Sequence, residues 1–195
     1  MTFANKLTLG RVVLALLTFG CLWVRSPALY AAALVFYALA AITDWVDGWI
    51  ARRTHSVSPF GVLADPIADK ILIIGALIAF VRDPLVDVPS WAVFIIIVRE
   101  LLIGGIRALA ALQGVVIAAD RGGKWKMAVQ SVSVLFIILL LVWRTQGGAE
   151  AAPWLDRLPY PLTVLSMVVS LLSGGQYAYN ARHMIRKSWN APPQP

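Results

Sequence analysis

Four aspartates stand out as residues whose type and spacing could do chemistry. Asp44 and Asp47 are three apart, and Asp65 and Asp69 four apart, in the stretch DWVDGWIARRTHSVSPFGVLADPIAD. On helices each pair projects from one face, so two such helices side by side would converge four carboxylates on one spot. Carboxylates that close repel one another unless cations neutralise them. Hard oxygen ligands suit Mg²⁺ or Mn²⁺, and two such ions form a clamp for phosphoryl transfer. The setting sharpens the point, because each acid sits at the end of, or just inside, an apolar segment. A carboxylate at the bilayer centre costs about 2.5–3.5 kcal/mol on insertion scales, so four together require a compensating partner.

The elements that must position these acids are membrane helices. The chain has 195 residues, 59% hydrophobic and 14% charged, with a mean hydropathy of +0.76. That composition belongs to a polytopic membrane protein and leaves no second domain beside the spans, so residues 1–195 read as one membrane domain. Apolar runs of about 18–23 residues predict an all-α protein with six transmembrane helices over roughly 7–24, 28–50, 65–81, 90–112, 126–143 and 160–182. No cleavage site follows the first run, which reads as a span rather than a signal sequence. Connections are marked by Arg25-Ser26-Pro27, by Arg82 to Pro89, by Gly114 to Lys124 and by Arg144 to Pro159.

Charge sets the orientation. Lys6, Arg52, Arg53, Arg121, Lys124, Lys126, Arg182, Arg186 and Lys187 fall on one side, against Arg25, Arg82, Arg144 and Arg157 on the other. The first side is expected to be cytoplasmic, with both termini and the aspartates there, in a cell inner membrane. The net charge of +7 is spread over membrane-flanking loops. It points to anionic lipid and anionic substrates, not nucleic acid. A single Cys21 excludes an internal disulfide, and with only His55 and His183 beside it a zinc site is unsupported.

Asp44, Asp47, Gly48, Ala51, Arg52, Gly61, Asp65 and Asp69 stand at the spacing D-x2-D-G-x2-A-R-x8-G-x3-D-x3-D. This resembles the signature of the CDP-alcohol phosphotransferases at every defined position. Six spans with the motif across the second and third is that family's architecture. The resemblance implies that Asp44, Asp47, Asp65 and Asp69 bind two divalent ions, Mg²⁺ or Mn²⁺. It makes Asp69 the general base, taking the proton from an acceptor hydroxyl that attacks the β-phosphorus of CDP-diacylglycerol. Gly48, Arg52 and Ser58, and more weakly Asn5 and Thr8 of an N-x2-T element, resemble positions that contact the cytidine diphosphate. Relatives also form homodimers.

The acceptor is read from the fourth and fifth spans. Arg99-Glu100, Ile106-Arg107, Lys124-Trp125-Lys126 and Met127-x2-Gln130 resemble bacterial phosphatidylglycerophosphate synthases, with Ala108 where many of those have Glu. Glycerol 3-phosphate is then the implied acceptor, with Arg107, Lys124 and Lys126 supplying charge for its phosphate. Phosphatidylglycerol or inositol phosphate is the nearest alternative.

Blander readings stand beside these. Asp65-Pro66 is also an N-cap with proline at the first helical position. Asn5 and Thr8 also read as a helix cap. Arg99 and Glu100, adjacent and facing different ways, are structural ion-pair members or substrate contacts, each with a partner on another helix. Arg107 is also placed to snorkel. His55 reads as solvated. A cation transporter or a metal-stapled structural protein would also use intramembrane acids. Neither gives Gly48, Ala51 and Arg52 a role.

Overall fold

The computed structural model describes residues 3–54, 59–112, 121–147 and 153–189. Six long helices account for nearly all of them: α1 (Phe3–Val24), α2 (Pro27–Thr54), α3 (Pro59–Arg82), α4 (Ser90–Leu112), α5 (Arg121–Thr145) and α6 (Pro159–Trp189). A short 3₁₀ turn, Pro153–Arg157, precedes α6. Proline opens α2, α3 and α6, where its missing N–H is one of the helix's unpaired donors anyway.

Each helix covers its expected span, and three starts differ in ways that matter. α3 begins at Pro59, so Asp65 lies inside the helix and cannot be its N-cap. α1 begins at Phe3, so Asn5 and Thr8 are likewise interior and the cap reading of that pair fails. α5 begins at Arg121, which places Gly122, Gly123 and Lys124 in its first turn and not in a loop.

Four helices contain stretches long and apolar enough to cross a membrane: Leu7–Val24, Pro27–Asp44, Trp125–Thr145 and Trp154–Arg182. α3 and α4 have comparable lengths, 24 and 23 residues, but carry Asp65, Asp69 and Lys70, and Arg99, Glu100 and Arg107. The outer surfaces match a lipid environment. Leu16, Val24, Val35, Ile42, Phe94, Leu101, Leu102, Val132 and Leu172 are exposed. Small residues at the contacts (Ala15, Ala33, Ala40, Ala68, Ala76, Ala92) let the backbones approach closely.

α1 packs most extensively on α2 and α3, α6 packs on both α4 and α5, and α2 joins the two groups through α5. The end away from the aspartates is tied by polar contacts. Tyr30 donates to Asp83 at 2.5 Å, and Asp83 also accepts from the Leu85 N–H at 3.0 Å. Arg82 lies over the Trp23 ring, 4.1 Å from its centroid, linking the last turns of α1 and α3. Arg25 takes a positive φ of 58° between α1 and α2, which turns the chain within two residues. The contacts of α3 with α4 and α5 are sparse. A cavity opens there.

Candidate active site

α2 is 28 residues long, about 42 Å at 1.5 Å per residue, against roughly 30 Å of hydrocarbon. Its apolar stretch ends at Asp44. The last ten residues, with Asp47, Gly48 and Arg52, extend beyond that stretch in the same helix. Asp65 and Asp69 occupy the first part of α3.

Asp44 and Asp69 meet at a third helix. Arg11 of α1 is 1% exposed, and its Nη1 lies 3.0 Å from Asp44 Oδ1 and 3.6 Å from Asp69 Oδ1. Thr8, three residues earlier on the same face of α1, is equally buried. In the sequence Arg11 is a lone charge inside the first apolar run. Its spacing from Thr8 was the available signal of an inward polar face. The helical backbone sets Asp47 about one turn beyond Asp44, and Asp65 about one turn before Asp69. The side chains of Asp47, Asp65, Arg52, Asn5 and Lys124 lie outside the described ones, as does Ser58 altogether. Among the described residues no three His, Cys, Asp or Glu side chains converge as a metal group.

Asp44 and Asp69 line a cavity of about 430 Å³ bounded by α2 to α6, a size usual for small-ligand sites. Lys70, Arg99, Glu100, Arg107, Lys126 and Gln130 supply much of its remaining polar wall. Glu100 is the hub of these groups. Its Oε1 accepts from Arg99 Nη1 at 2.7 Å and from Lys126 Nζ at 2.5 Å. Its backbone carbonyl accepts from Lys70 Nζ at 3.2 Å. Arg99 also donates to Ser173 Oγ of α6 at 3.2 Å. One residue thus joins α3, through its carbonyl, to α5, through its carboxylate, and Arg99 carries the network to α6. Arg99 and Glu100 do each have a partner on another helix, but they also pair with each other, because the long arginine side chain folds back over its neighbour.

Glycine makes room for this network. A Cβ at Gly174 would lie 2.6 Å from Arg99 Nε and 3.1 Å from its Cγ, so the arginine crosses α6 where no side chain stands. Of the three cations named from sequence, Lys126 is buried and bonded to Glu100, while Arg107 is exposed with its guanidinium 5.2 Å from the Tyr177 ring centroid. Lys70 was missed as a candidate, and Gln130, named only in the family resemblance, was given no role in the site. Lys70 follows Asp69 directly, and its position beside an acid was its only signal.

The cavity therefore holds carboxylates at one wall and a surplus of cations at the other. Such a site suits an anionic substrate whose reacting oxygen must sit near acids.

Comparison with known proteins gives this arrangement a context. A family model described as CDP-alcohol phosphatidyltransferase matches residues 1–172. The CDP-diacylglycerol--glycerol-3-phosphate 3-phosphatidyltransferase of Bacillus subtilis (strain 168) is 37% identical over 147 residues, covering 69% of this chain and 75% of its own length. The protein of the same name from Rickettsia bellii is 31% identical over 176 residues, covering 89% of this chain and 91% of its own. A cardiolipin synthase (CMP-forming) from Oryza sativa subsp. japonica is 31% identical over 153 residues, covering 71% of this chain and 46% of its own.

Proposed function

The chain belongs to the CDP-alcohol phosphatidyltransferase family, and from that premise we propose that it transfers a phosphatidyl group from CDP-diacylglycerol to glycerol 3-phosphate, releasing CMP. The observation that carries this reading is the cavity itself. Asp44 and Asp69 face a space lined by Lys70, Arg107 and the Glu100-centred cations. Membership of an enzyme family displaces the transporter and scaffold alternatives. The names of the Bacillus and Rickettsia relatives favour glycerol 3-phosphate, and a small phosphate-bearing acceptor fits a cationic wall.

The donor set fits divalent metal. Arg11 brings one positive charge to Asp44 and Asp69. The signature supplies four carboxylates, more negative charge than one guanidinium offsets. The deficit of positive charge, and the all-oxygen donors, suit Mg²⁺ or Mn²⁺. Two such ions at Asp44, Asp47, Asp65 and Asp69 would neutralise the pyrophosphate and the charge on departing CMP.

The protein's own groups do the rest. Asp69 accepts the proton of the acceptor's primary hydroxyl. That oxygen forms a bond to the β-phosphorus as the bond to the CMP oxygen breaks. Gly48 leaves the face of α2 low enough for the nucleotide to approach. Arg52 offers a planar fork to its phosphates, with Ser58, Asn5 and Thr8 as further contacts. Arg107 and Lys124, with Lys126 and Lys70, hold the acceptor phosphate.

Six spans, not four, belong to the same reading. Asp69 and Lys70 of α3 and Arg99, Glu100 and Arg107 of α4 line the cavity, and the exposed face of α4 is apolar (Trp91, Phe94, Leu101, Leu102). The site and both termini are placed on the cytoplasmic side of the inner membrane, in a homodimer.

The test is CMP release by purified protein in detergent with CDP-diacylglycerol, Mg²⁺ and one acceptor at a time. Release that requires glycerol 3-phosphate and stops with chelator is expected. Release only with phosphatidylglycerol or inositol phosphate would move the acceptor and keep the mechanism. Silence with every acceptor, from folded protein, would overturn the reading. An Asp69→Asn variant should fold and release no CMP; full activity there would remove Asp69 as base.

A further inference from the structure

Gln130 lies on α5 about one turn beyond Lys126, deeper in the cavity wall. The residue is 4% exposed, and its amide nitrogen has no hydrogen-bond partner among the described residues. A buried amide donor without an acceptor is costly, so such a group calls for a partner that binds there. Ser131, Ser173 and Glu100, which line the same cavity, are engaged, whereas the Ser170 hydroxyl of α6 is also buried without a partner among the described residues but does not line the cavity. The Ser131 carbonyl accepts from Tyr37 Oη at 3.0 Å. The Ser173 hydroxyl accepts from Arg99, and the Glu100 carboxylate accepts from both Arg99 and Lys126.

The acceptor's polar groups can be matched to the wall in turn. Its phosphate is a dianion and belongs with the cations. Its reacting primary hydroxyl belongs beside Asp69. What remains of glycerol 3-phosphate is one secondary hydroxyl at C2. What remains of the wall is a neutral donor, the Gln130 amide, suited to a neutral oxygen.

We infer that Gln130 is a specificity-determining residue that donates its side-chain N–H to the secondary hydroxyl of the acceptor. The inference rests on the reading that this cavity takes glycerol 3-phosphate. A site built to hydrogen-bond a hydroxyl discriminates strongly against an analogue lacking it, because its own polar group is then left buried and unpaired. Gln130 would thus separate a three-carbon diol phosphate from simpler hydroxyalkyl phosphates.

The experiment compares glycerol 3-phosphate with 3-hydroxypropyl phosphate, which keeps the phosphate and the reacting hydroxyl and lacks only the C2 hydroxyl. The quantity read is the ratio of kcat/KM for the two acceptors on one preparation, in which the active fraction cancels. The wild-type protein should prefer glycerol 3-phosphate by about tenfold or more. Gln130→Met, of similar volume and without the donor, should bring the ratio to within about threefold of unity. If Gln130→Met does not turn over, the concentrations of each acceptor that raise the unfolding temperature of wild type and variant give the corresponding ratio of binding affinities without catalysis. A ratio unchanged in Gln130→Met, by either readout, would overturn the inference. So would a wild-type ratio near one. Wild-type protein that ignores glycerol 3-phosphate altogether would instead strike the proposed function, and this inference with it.

Discussion

The Arg11 guanidinium of α1 lies 3.0 Å from the Asp44 carboxylate of α2, and the same nitrogen is 3.6 Å from Asp69 of α3. A fully buried cation in the first span therefore joins two of the four signature acids. It lies where α1 packs on both of these helices.

Arg11→Met should destabilise the metal-free protein by about 1–3 kcal/mol, since the variant leaves neighbouring carboxylates without their counter-charge. The half-exposed position of Asp44 keeps the figure below that of a fully buried pair. Adding Mn²⁺ or Mg²⁺ should recover more stability in the variant than in the wild type, because divalent cations would replace the missing charge. Thermal unfolding in detergent, with metal and with chelator, checks both statements. Arg11→Lys should fall between, keeping charge but losing the fork that spans two acids.

Glu100 and Lys126 form the second buried pair, at 2.5 Å. Glu100→Gln should cost about 3 kcal/mol or more, because Arg99 and Lys126 are then buried beside a neutral amide. Lys126→Met alone should cost less, since Arg99 still serves Glu100. The double variant should lose less stability than the sum of the two, by about 1–3 kcal/mol. A double-mutant cycle on unfolding free energies measures that coupling. Strict additivity would mean the pair contributes nothing as a pair.

Gly174 and Gly175 offer an internal control one residue apart. At Gly174 an added Cβ would meet the middle of the Arg99 side chain, with Nε at 2.6 Å, whereas at Gly175 it would meet nothing within 4 Å. Gly174→Ala should therefore displace Arg99 from Ser173 and Glu100, lowering stability by about 1–3 kcal/mol. Gly175→Ala should be neutral or raise it by up to about 1 kcal/mol through helix propensity. Unfolding midpoints of the two variants distinguish these outcomes.

Helix number and placement were legible in the sequence because long apolar runs leave few alternatives. The start of α3 was misplaced because Asp65-Pro66 mimics a helix beginning. The preceding apolar turn, with Pro59 at its head, extends the helix back to Pro59. The aspartate pairs were legible because their spacing matches the helical repeat. What could not be read was the partner of any charge lying on a different helix. Nothing local in VRELL says that Glu100 would take both Arg99 and Lys126. Arg11 likewise had no neighbour in sequence to announce Asp44, which lies on the next helix.

The same limitation bears on the acceptor's phosphate. Arg107, Lys124 and Lys126 looked equivalent as basic residues near one membrane face, yet the fold treats Arg107 and Lys126 differently. Lys126 is buried and its charge is shared with Glu100, whereas Arg107 lines the cavity exposed, over the Tyr177 ring. An exposed guanidinium contributes little to folding but keeps its hydrogen-bond donors for a ligand. Arg107→Ala should therefore leave the unfolding midpoint nearly unchanged and raise KM for glycerol 3-phosphate about tenfold, with KM for CDP-diacylglycerol little altered. Lys126→Ala should lower both stability and activity. Steady-state kinetics with each substrate varied in turn, beside thermal unfolding of the same preparations, separates the two. If Arg107→Ala left KM for glycerol 3-phosphate untouched, Arg107 would be a snorkelling charge, and the acceptor phosphate would fall to Lys70 and Lys124.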